Sequence, residues 1–492
     1  MPTKTVTGNT FTNWTGGTSA IIGTVVSFSG AANVSNNVVS NITGAGQITG
    51  ISSASGGSTA ADNFSQNTVH TLSSSGASVV TGIVSSSATL RNIFRNKIYN
   101  FENTNAAGTV SGITVSGGTT TNVYNNLIGD LRAPALNATN SLFGINISGG
   151  TTVNADFNTV YLNATSTGAN FGSSALNASS TPTFTMRNNV LVNTSTAAGT
   201  GLTVAYRRSS TTLSTYANAS NNNDFFAGTP SATNAIYNDG TNSDQTLAAY
   251  KSRVTPRDSA SITENPNFVS TTGANTNFLH ISTATPTQLE SGGIPVSGIT
   301  NDFDGQTRNV PMPDIGADEF TGTAIDLNPP AISYTAVGNT TSTTNRVITA
   351  TITDLSGVAT GANSPRIYFR KNGGAYFSTQ CGGSSPTYTC TIDYSLFGGV
   401  VTSDVINYFI VAQDTNGNVG ANPGGGFVAT SINNVTSPLT TPNAYAVVAA
   451  FASSVNVGAG ETYTSLTNTD GISRQSILWA RRQISPLTSP AI

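Results

Sequence analysis

The sequence predicts an all-β protein in which a parallel β-helix precedes an antiparallel β-sandwich. An asparagine, one further residue and then an aliphatic residue recur every 29 to 32 residues between about residues 36 and 193. A glycine followed by an aliphatic residue recurs in step with that phrase. A fixed period of this length is typical of a solenoid. After about residue 330 the period is lost, and strands with alternating apolar residues follow.

The asparagine phrase marks the core strand of each repeat. Alternation along the strand places its aliphatic residue inward, where it stacks on its equivalents at roughly 4.8 Å. We expect the asparagines at the bend before the strand, in left-handed backbone and hydrogen-bonded from coil to coil. This interpretation is structural; the alternative is a polar ladder that binds sugar hydroxyls. The asparagines are Asn37, Asn67, Asn96, Asn126, Asn158 and Asn188. The predicted core column is Val39, Val69, Ile98, Ile128, Val160 and Val190.

The ends of the stack are less regular than its middle. A glycine-bounded run rich in β-branched residues, 20–28, is predicted to begin it. The glycine phrase recurs at Gly50, Gly82, Gly112, Gly144 and Gly201. Residues 223–226 predict one more, irregular coil, and 244–257 predict a short helix packed on the flank. No segment keeps a helical period, so an α-solenoid is excluded.

Composition limits the classes of function. Charged residues make up 8% of the 492 residues, against roughly 25% in an average soluble protein. The net charge of −3 offers no basic patch for nucleic acid, and no apolar run reaches the ~20 residues that span a bilayer. We therefore expect neither nucleic-acid binding nor membrane insertion. Such uncharged surfaces suit β-structure outside the cell.

The two cysteines, Cys381 and Cys390, are separated by a short stretch that contains Gly-Gly-Ser-Ser-Pro. A stapled hairpin in an oxidising compartment is favoured over two reduced thiols. With only two histidines, a zinc site is not expected. Residues 1–4 lack the apolar region of a signal peptide, so an extracellular or cell-surface location requires an export signal upstream of this fragment.

The closing part of the repeat region carries distinctive motifs. The coils, the Asp-Phe-Asp-Gly…Arg turn at 302–308 and the Asp-Ile-Gly-Ala-Asp-Glu phrase at 314–319 resemble right-handed parallel β-helix domains. These domains occur in large secreted bacterial surface proteins, within the pectate-lyase-like superfamily. The resemblance covers about two thirds of the chain. It implies a right-handed helix and a surface protein.

The second region predicts strands at 346–352, 366–370, 387–392 and 405–411. Its Asp-Leu-Ser-Gly-Val turn at 354–358 and its ending at 412–418 resemble bacterial immunoglobulin-like modules, whose usual role is spacing or adhesion. We divide the chain into a β-helix at 1–322, a linker at 323–330 and a sandwich at 331–435. Residues 436–492 are assigned to a Pro/Thr/Ser-rich linker and the truncated start of a further repeat domain.

Candidate binding residues are few. Arg95, Lys97 and Arg132 could form a small positive patch for an acidic glycan if the coil register brings them together; the alternative, for these and Arg91, is solvated charge on a sheet face. The acids of the regular coils are Asp62, Glu102, Asp130 and Asp156. Because no two of these acids share a repeat position, no catalytic residue is predicted.

Calcium is the one cofactor that the sequence suggests. Asp302 and Asp304 resemble part of a calcium loop, but they supply two of the roughly six to eight oxygens that the ion needs. Asp314, Asp318 and Glu319 could complete the site. The simpler reading, which we favour, is that Arg308 pairs with one of these acids and seals the end of the helix. The Asp-Thr-Asn-Gly-Asn turn at 414–418 also suggests calcium, but we favour an ordinary Asx-Gly turn between strands.

The sequence thus favours a non-enzymatic surface protein, a spacer or adhesin. Its expected partner is a polysaccharide, weakly bound, or another surface protein. The alternative is a carbohydrate-active β-helix enzyme, either a polysaccharide lyase or a glycoside hydrolase.

Overall fold

The computed structural model describes residues 3–28, 30–54, 60–354, 356–437 and 439–450. Contacts divide the chain into two units, Met1–Ile325 and Asp326–Ile492. The first is a parallel β-helix of about eight coils, and the second is built from antiparallel sheets. The predicted fold class is confirmed.

Three parallel sheets, here called A, B and C, form the sides of the β-helix. Sheet A has seven strands, Lys4–Thr7, Ala32–Ser35, Asp62–Ser65, Leu90–Phe94, Thr120–Tyr124, Thr152–Asp156 and Thr183–Arg187. Sheet B has eight, Thr10–Thr15, Val38–Gly44, Thr68–Ser74, Lys97–Asn103, Leu127–Arg132, Thr159–Leu162, Val190–Asn193 and Asp224–Phe226. Sheet C has nine, Ile21–Val26, Ile48–Ser53, Val79–Ser85, Thr109–Val115, Ala138–Ile147, Phe171–Ala178, Thr203–Arg208, Asn234–Asn238 and Ser243–Asp244, of which the last pairs antiparallel. Each coil visits A, B and C in turn.

A ladder of buried asparagines lies at the turn from sheet A to sheet B. Asn126 shows its geometry: its backbone N–H and its Nδ2 both donate to Oδ1 of Asn158 in the next coil, at 3.2 and 2.8 Å. Nδ2 also donates to the carbonyl of Ile93 in the preceding coil, at 2.9 Å. Oδ1 of Asn126 accepts the two corresponding donors of Asn96. One amide thus joins three coils, and its hydrogen-bonding capacity is used inside the protein.

This inner ladder extends beyond the predicted repeats. It begins at the exposed Asn9 and runs through the buried residues Asn37, Asn67, Asn96, Asn126, Asn158, Asn189 and Asn223. The predicted member Asn188 is wrong by one residue, because Asn158 donates to Asn189. The left-handed residue is also the one before each ladder asparagine, with φ between 53° and 56° from Asn125 to Asn222. That bend turns the chain, which frees the asparagine to aim its amide along the stack.

The predicted core column is confirmed up to Val160. Val39, Val69, Ile98, Ile128 and Val160 pair in register and are fully buried. The last member is wrong, because Leu191 pairs with Val160 while Val190 pairs with Thr159. Val190 therefore points to the outer face of sheet B, where other residues cover it. The error follows from the same one-residue shift that misassigned Asn188.

The glycine phrase is explained by close packing between sheets B and C. A Cβ on Gly112 would lie 2.5 Å from Ile128 Cγ2 and 2.6 Å from the carbonyl oxygen of Gly144. Only glycine fits there. Gly201 does not belong to this column, since Leu176 pairs with Tyr206 and the equivalent residue is therefore Ala205. The last coils carry alanine at this position.

Both ends of the stack differ from the sequence prediction. The stack does not begin at 20–28, because Lys4–Thr7 and Thr10–Thr15 precede Ile21–Val26 and pair with the second coil. At the far end the predicted helix is present as Leu247–Val254. Its Tyr250 and Val254 belong to the interior core, so it closes the stack and does not lie on its flank.

The predicted coil at 223–226 is confirmed as the strand Asp224–Phe226. Residues 263–325, here called the closing segment, then run back over the outer face of sheet B. Phe278 and Leu279 pack against Tyr99 and Leu127. Further along, Ile281, Leu289 and Ile315 cover Val190 and Val192. The closing segment thus buries an apolar sheet face that would otherwise meet water.

The second unit contains a four-stranded and a five-stranded antiparallel sheet. The first comprises Ala331–Tyr334, Arg346–Thr353, Thr387–Ile392 and Gly382–Ser384. The second comprises Phe377–Gln380, Arg366–Lys371, Val405–Gln413, Val419–Asn422 and Asn443–Ala446. Val428–Ser431 and Asn434–Ser437 form a hairpin, and Gly361–Asn363 and Tyr394–Phe397 are short 3₁₀ helices. Both larger sheets contribute side chains to one buried cluster, which includes Ile348, Ile367 and Tyr408.

The predicted disulfide between Cys381 and Cys390 is confirmed, and both residues lie in that cluster. The four predicted strands are also present. Asn443–Ala446 lies within the stretch 436–492 that was assigned to a linker and a further domain, but it pairs with Val405–Gln413 and buries Tyr445. The antiparallel unit therefore continues past residue 435. The predicted start of a further repeat domain at 455–466 lies outside the described residues.

We expect Asn126→Ala to destabilise the protein strongly. It leaves the buried N–H of Asn96 without its partner, at a cost of about 1 to 3 kcal/mol, and removes further buried hydrogen bonds to Nδ2 of Asn96 and the carbonyl of Ile93. Urea denaturation should show a loss of about 2 to 4 kcal/mol in the free energy of unfolding. Asn122→Ala, four residues earlier and partly exposed, is the matched control and should lose less than about 1 kcal/mol. Equal losses would contradict a structural role for the inner ladder.

Candidate functional site

The predicted basic residues do not form one patch. Arg95 and Lys97 face the closing segment: Arg95 Nε donates to the carbonyl of Phe303 at 2.6 Å, and Lys97 Nζ donates to that of Asn275 at 2.6 Å. Lys97 also lies over the rings of Tyr99 and Phe278. Both cations therefore anchor the closing segment to sheet B.

Arg132 lies at the opposite end of its strand. Glu102 pairs in register with Arg132, whereas Lys97 pairs with Leu127. Arg132 is exposed and contacts Asp130 at 3.3 Å, Glu102 at 3.8 Å and the side chain of Asn100. The register thus separates Arg132 from Lys97. Glycan binding by Arg95, Lys97 and Arg132 stays a prediction.

Asp302 is engaged with the backbone of its own turn. Its Oδ1 accepts the N–H groups of Gly305 and Gln306 at 2.8 and 2.7 Å, and its Oδ2 accepts that of Glu319 at 3.0 Å. It is fully buried. These bonds shape the 302–308 turn, while calcium binding by Asp302 and Asp304 stays a prediction.

Asp304 instead lies beside His280 and Asp318. Nε2 of His280 lies 2.6 Å from Oδ2 of Asp304. One ligand atom from each of the three residues lies within 4.8 Å of the others. Asp318 is buried, and its Oδ2 accepts the N–H of Ile281 at 2.9 Å. An imidazole and two carboxylates can hold a divalent cation, or they can form the ion pair seen here.

The charges of this group favour a protonated imidazole. Burial opposes the charge on His280, but the bond with Asp304 and the charge of Asp318 outweigh it and raise its pKa. The bond with His280 is the main cause that lowers the pKa of Asp304. Burial raises the pKa of Asp318. Arg95 and Lys97 add positive charge beside Asp304. The charge of the Asp304 carboxylate is therefore balanced by cationic side chains of the protein.

The predicted pairing of Arg308 with one of the closing acids is confirmed, but the pair lies against the side of the stack and does not seal its end. Its Nη1 lies 3.1 Å from Oε2 of Glu319, and its guanidinium stacks 3.8 Å from the ring centre of Phe157. Nη2 also donates to Oδ1 of Asn125 at 2.9 Å. Arg308 therefore fixes the closing phrase onto the turn between sheets A and B.

Acids of the regular coils lie beside arginines. Asp62 pairs with Arg91 at 3.1 Å inside the core, and Asp156 forms a two-pronged pair with Arg187. Arg91 is fully buried, so its interpretation as a solvated charge is wrong. These pairs could not be predicted from the sequence, because Asp62 and Arg91 become neighbours only when the coils stack.

The second unit brings Asp326, Asp354 and Asp414 together, with oxygens within 4.8 Å of one another. Asp414 accepts the N–H of Asn418, four residues further on, at 2.7 Å. Asp354 accepts the N–H of Ser356 at 2.9 Å, and Asp326 accepts it at 3.1 Å. Each carboxylate thus has a local structural role. Calcium binding at this turn stays a prediction.

The outer face of sheet A carries a second asparagine ladder that the sequence analysis missed. Nδ2 of each residue donates to Oδ1 of its neighbour in the preceding coil, at 2.9 to 3.1 Å. We call this the outer ladder; its members are Asn33, Asn63, Asn92, Asn122 and Asn154. All are partly exposed. The signal in the sequence is an asparagine four residues before each inner-ladder asparagine from Asn37 to Asn158.

No protein-family model matches the chain, and comparison with curated proteins gives no match. Within the described ranges, no helix is long and apolar enough to cross a membrane.

We expect the two histidines to titrate on opposite sides of their usual pKa of about 6.5. His280 should titrate above it, while burial and then Lys97 lower the pKa of His70. Because the pKa of His280 is raised on folding, its pair with Asp304 stabilises the protein at low pH. That stability is lost as the pH rises through the folded pKa. NMR titration of histidine-labelled protein measures both values.

Asp304→Asn should lower the pKa of His280 and leave that of His70 in place, and His70→Gln assigns the two signals. If His280 titrates below its usual value, or does not respond to Asp304→Asn, the ion pair is contradicted.

Proposed function

We propose that the chain is an extracellular or cell-surface protein in which the β-helix acts as a spacer or adhesin and binds glycans weakly. The observation that carries this proposal is the inner ladder, which runs through the stack from Asn9 to Asn223. Each of its interior members ties one coil to both neighbours, so bending the stack would break buried hydrogen bonds. A spacer needs such resistance to bending.

The surface chemistry supports the same role. Charged residues are 8% of the chain, and the outer face of sheet A is lined by amides and hydroxyls. Polar, uncharged groups suit hydrogen bonding to sugars. The disulfide fits an oxidising compartment, such as the outside of a cell.

We further propose that the β-helix is right-handed and belongs to the pectate-lyase-like superfamily, and that the second unit is an immunoglobulin-like module. Support comes from the closing motifs: Asp302 shapes its turn, and Arg308 pairs with Glu319. In the second unit, two antiparallel sheets share one buried cluster. Such modules commonly space or attach surface domains.

A non-catalytic role is favoured over a lyase or a hydrolase. Those enzymes need acids and bases free to exchange protons with a bound sugar. In the regular coils, Asp62, Asp130 and Asp156 each lie beside an arginine. These ion pairs serve the fold, as the burial of Asp62 and Asp156 shows.

A polysaccharide panel tests the proposal. Polygalacturonate, alginate, xylan and mixed-linkage β-glucan are incubated with the protein, with and without calcium. We expect no unsaturated sugars and no new reducing ends, together with retention on at least one immobilised glycan. Product release that disappears in Asp130→Ala or Arg132→Ala would establish the enzymatic alternative.

A further inference from the structure

We infer that the outer ladder is a binding face for an uncharged, linear polysaccharide that lies along the stack, crossing successive coils of sheet A. The inference rests on the glycan-binding part of the proposed function and names the surface and the class of glycan. Its starting point is the unused hydrogen-bonding capacity of the five amides.

Each interior amide spends half of its capacity inside the ladder. Asn92, for example, donates one N–H to Asn63 and accepts one from Asn122, both at 2.9 Å. A carboxamide has two N–H groups and two lone pairs. One donor and one acceptor per residue therefore remain for a ligand. The ladder fixes the orientation of all five amides, so binding costs little side-chain entropy.

The face is uncharged along most of its length. The outward positions beside the ladder hold Ser35, Thr120 and Thr152, and the partly exposed rings of Phe94 and Tyr124. Asp156 stands at one end, where Arg187 neutralises it through two hydrogen bonds. Solubility alone would be served by charged residues on such a face. An acidic glycan would lose the hydration of its carboxylates here and gain no countercharge.

The spacing between adjacent coils matches a linear polymer. Adjacent strands place equivalent amides roughly 4.8 Å apart, a distance close to the length of one sugar unit in an extended chain. Sugar hydroxyls both donate and accept, which matches one free donor and one free acceptor per coil. Phe94 and Tyr124 stack with ring centres 4.8 Å apart and border the ladder, so they add apolar surface beside it for the C–H groups of sugars.

The test uses the whole chain and two classes of probe. The neutral probes are xylan, mixed-linkage β-glucan and cellulose, and the acidic probes are polygalacturonate and alginate. We expect retention on at least one neutral glycan that is unchanged between low and high salt. The double variant Asn92→Ala/Asn122→Ala should weaken that retention about tenfold or more, since two hydrogen-bonding amides are lost. Asn146→Ala is the matched control; its amide accepts from Asn177 on sheet C at 2.8 Å and should have no effect.

Thermal unfolding shows whether the double variant is folded. If it is not, hydrogen exchange of the unmodified chain replaces it: the neutral glycan should slow exchange in Leu90–Phe94 and Thr120–Tyr124. Slowing confined to sheet C, or equal retention of the double variant, would overturn the inference. Retention only on acidic glycans, lost in high salt and in Arg132→Ala, would overturn it while leaving the adhesin proposal in place. Failure to bind any glycan would remove the glycan-binding part of both, whereas product release would contradict the non-enzymatic role itself.

Discussion

The inner ladder is the constraint on which the rest of the structure depends. Its asparagines satisfy the backbone at the turn from sheet A to sheet B, where a bent chain would otherwise leave buried N–H and C=O groups unpaired. Because Asn126 reaches Asn158 in one direction and Ile93 in the other, each coil must keep register with its neighbours. Register then decides which residues stack, including the column from Val39 to Val160. The ladder thus links a short sequence phrase to the whole core.

The closing segment solves a second problem of this architecture. Sheet B carries apolar residues such as Leu127 and Val190 on its outer face. Residues 263–325 cover them and keep them from water. Charged groups serve this attachment: Arg95 and Lys97 hold carbonyls of the closing segment, and Arg308 pairs with Glu319. The outer face of sheet A instead carries mainly amides and hydroxyls, with the rings of Phe94 and Tyr124 and one ion pair at its end. This difference between the two sheets is the basis for proposing the glycan-binding face on sheet A.

The sequence predicted the solenoid, its period, most of its core column, the disulfide and the pairing of Arg308. These features depend on local pattern or on a simple charge count. It misplaced Asn188 and Val190, because two adjacent asparagines offer two equally good registers and only the strand pairing decides between them. It could not bring His280 to Asp304, since the closing segment has no repeat from which a register could be read. The outer ladder was not predicted, because only one of the two asparagines in each repeat was assigned a structural role.

Hydrogen exchange at the inner ladder tests the central claim most directly. Turn amides normally exchange quickly, since turns open locally at little cost. The backbone N–H groups of Asn67, Asn96 and Asn126 instead donate to buried amide oxygens. We predict that they exchange as slowly as the core strand amides that follow them. Exchange at the rate of ordinary surface turns would contradict the claim that the inner ladder holds the coils together.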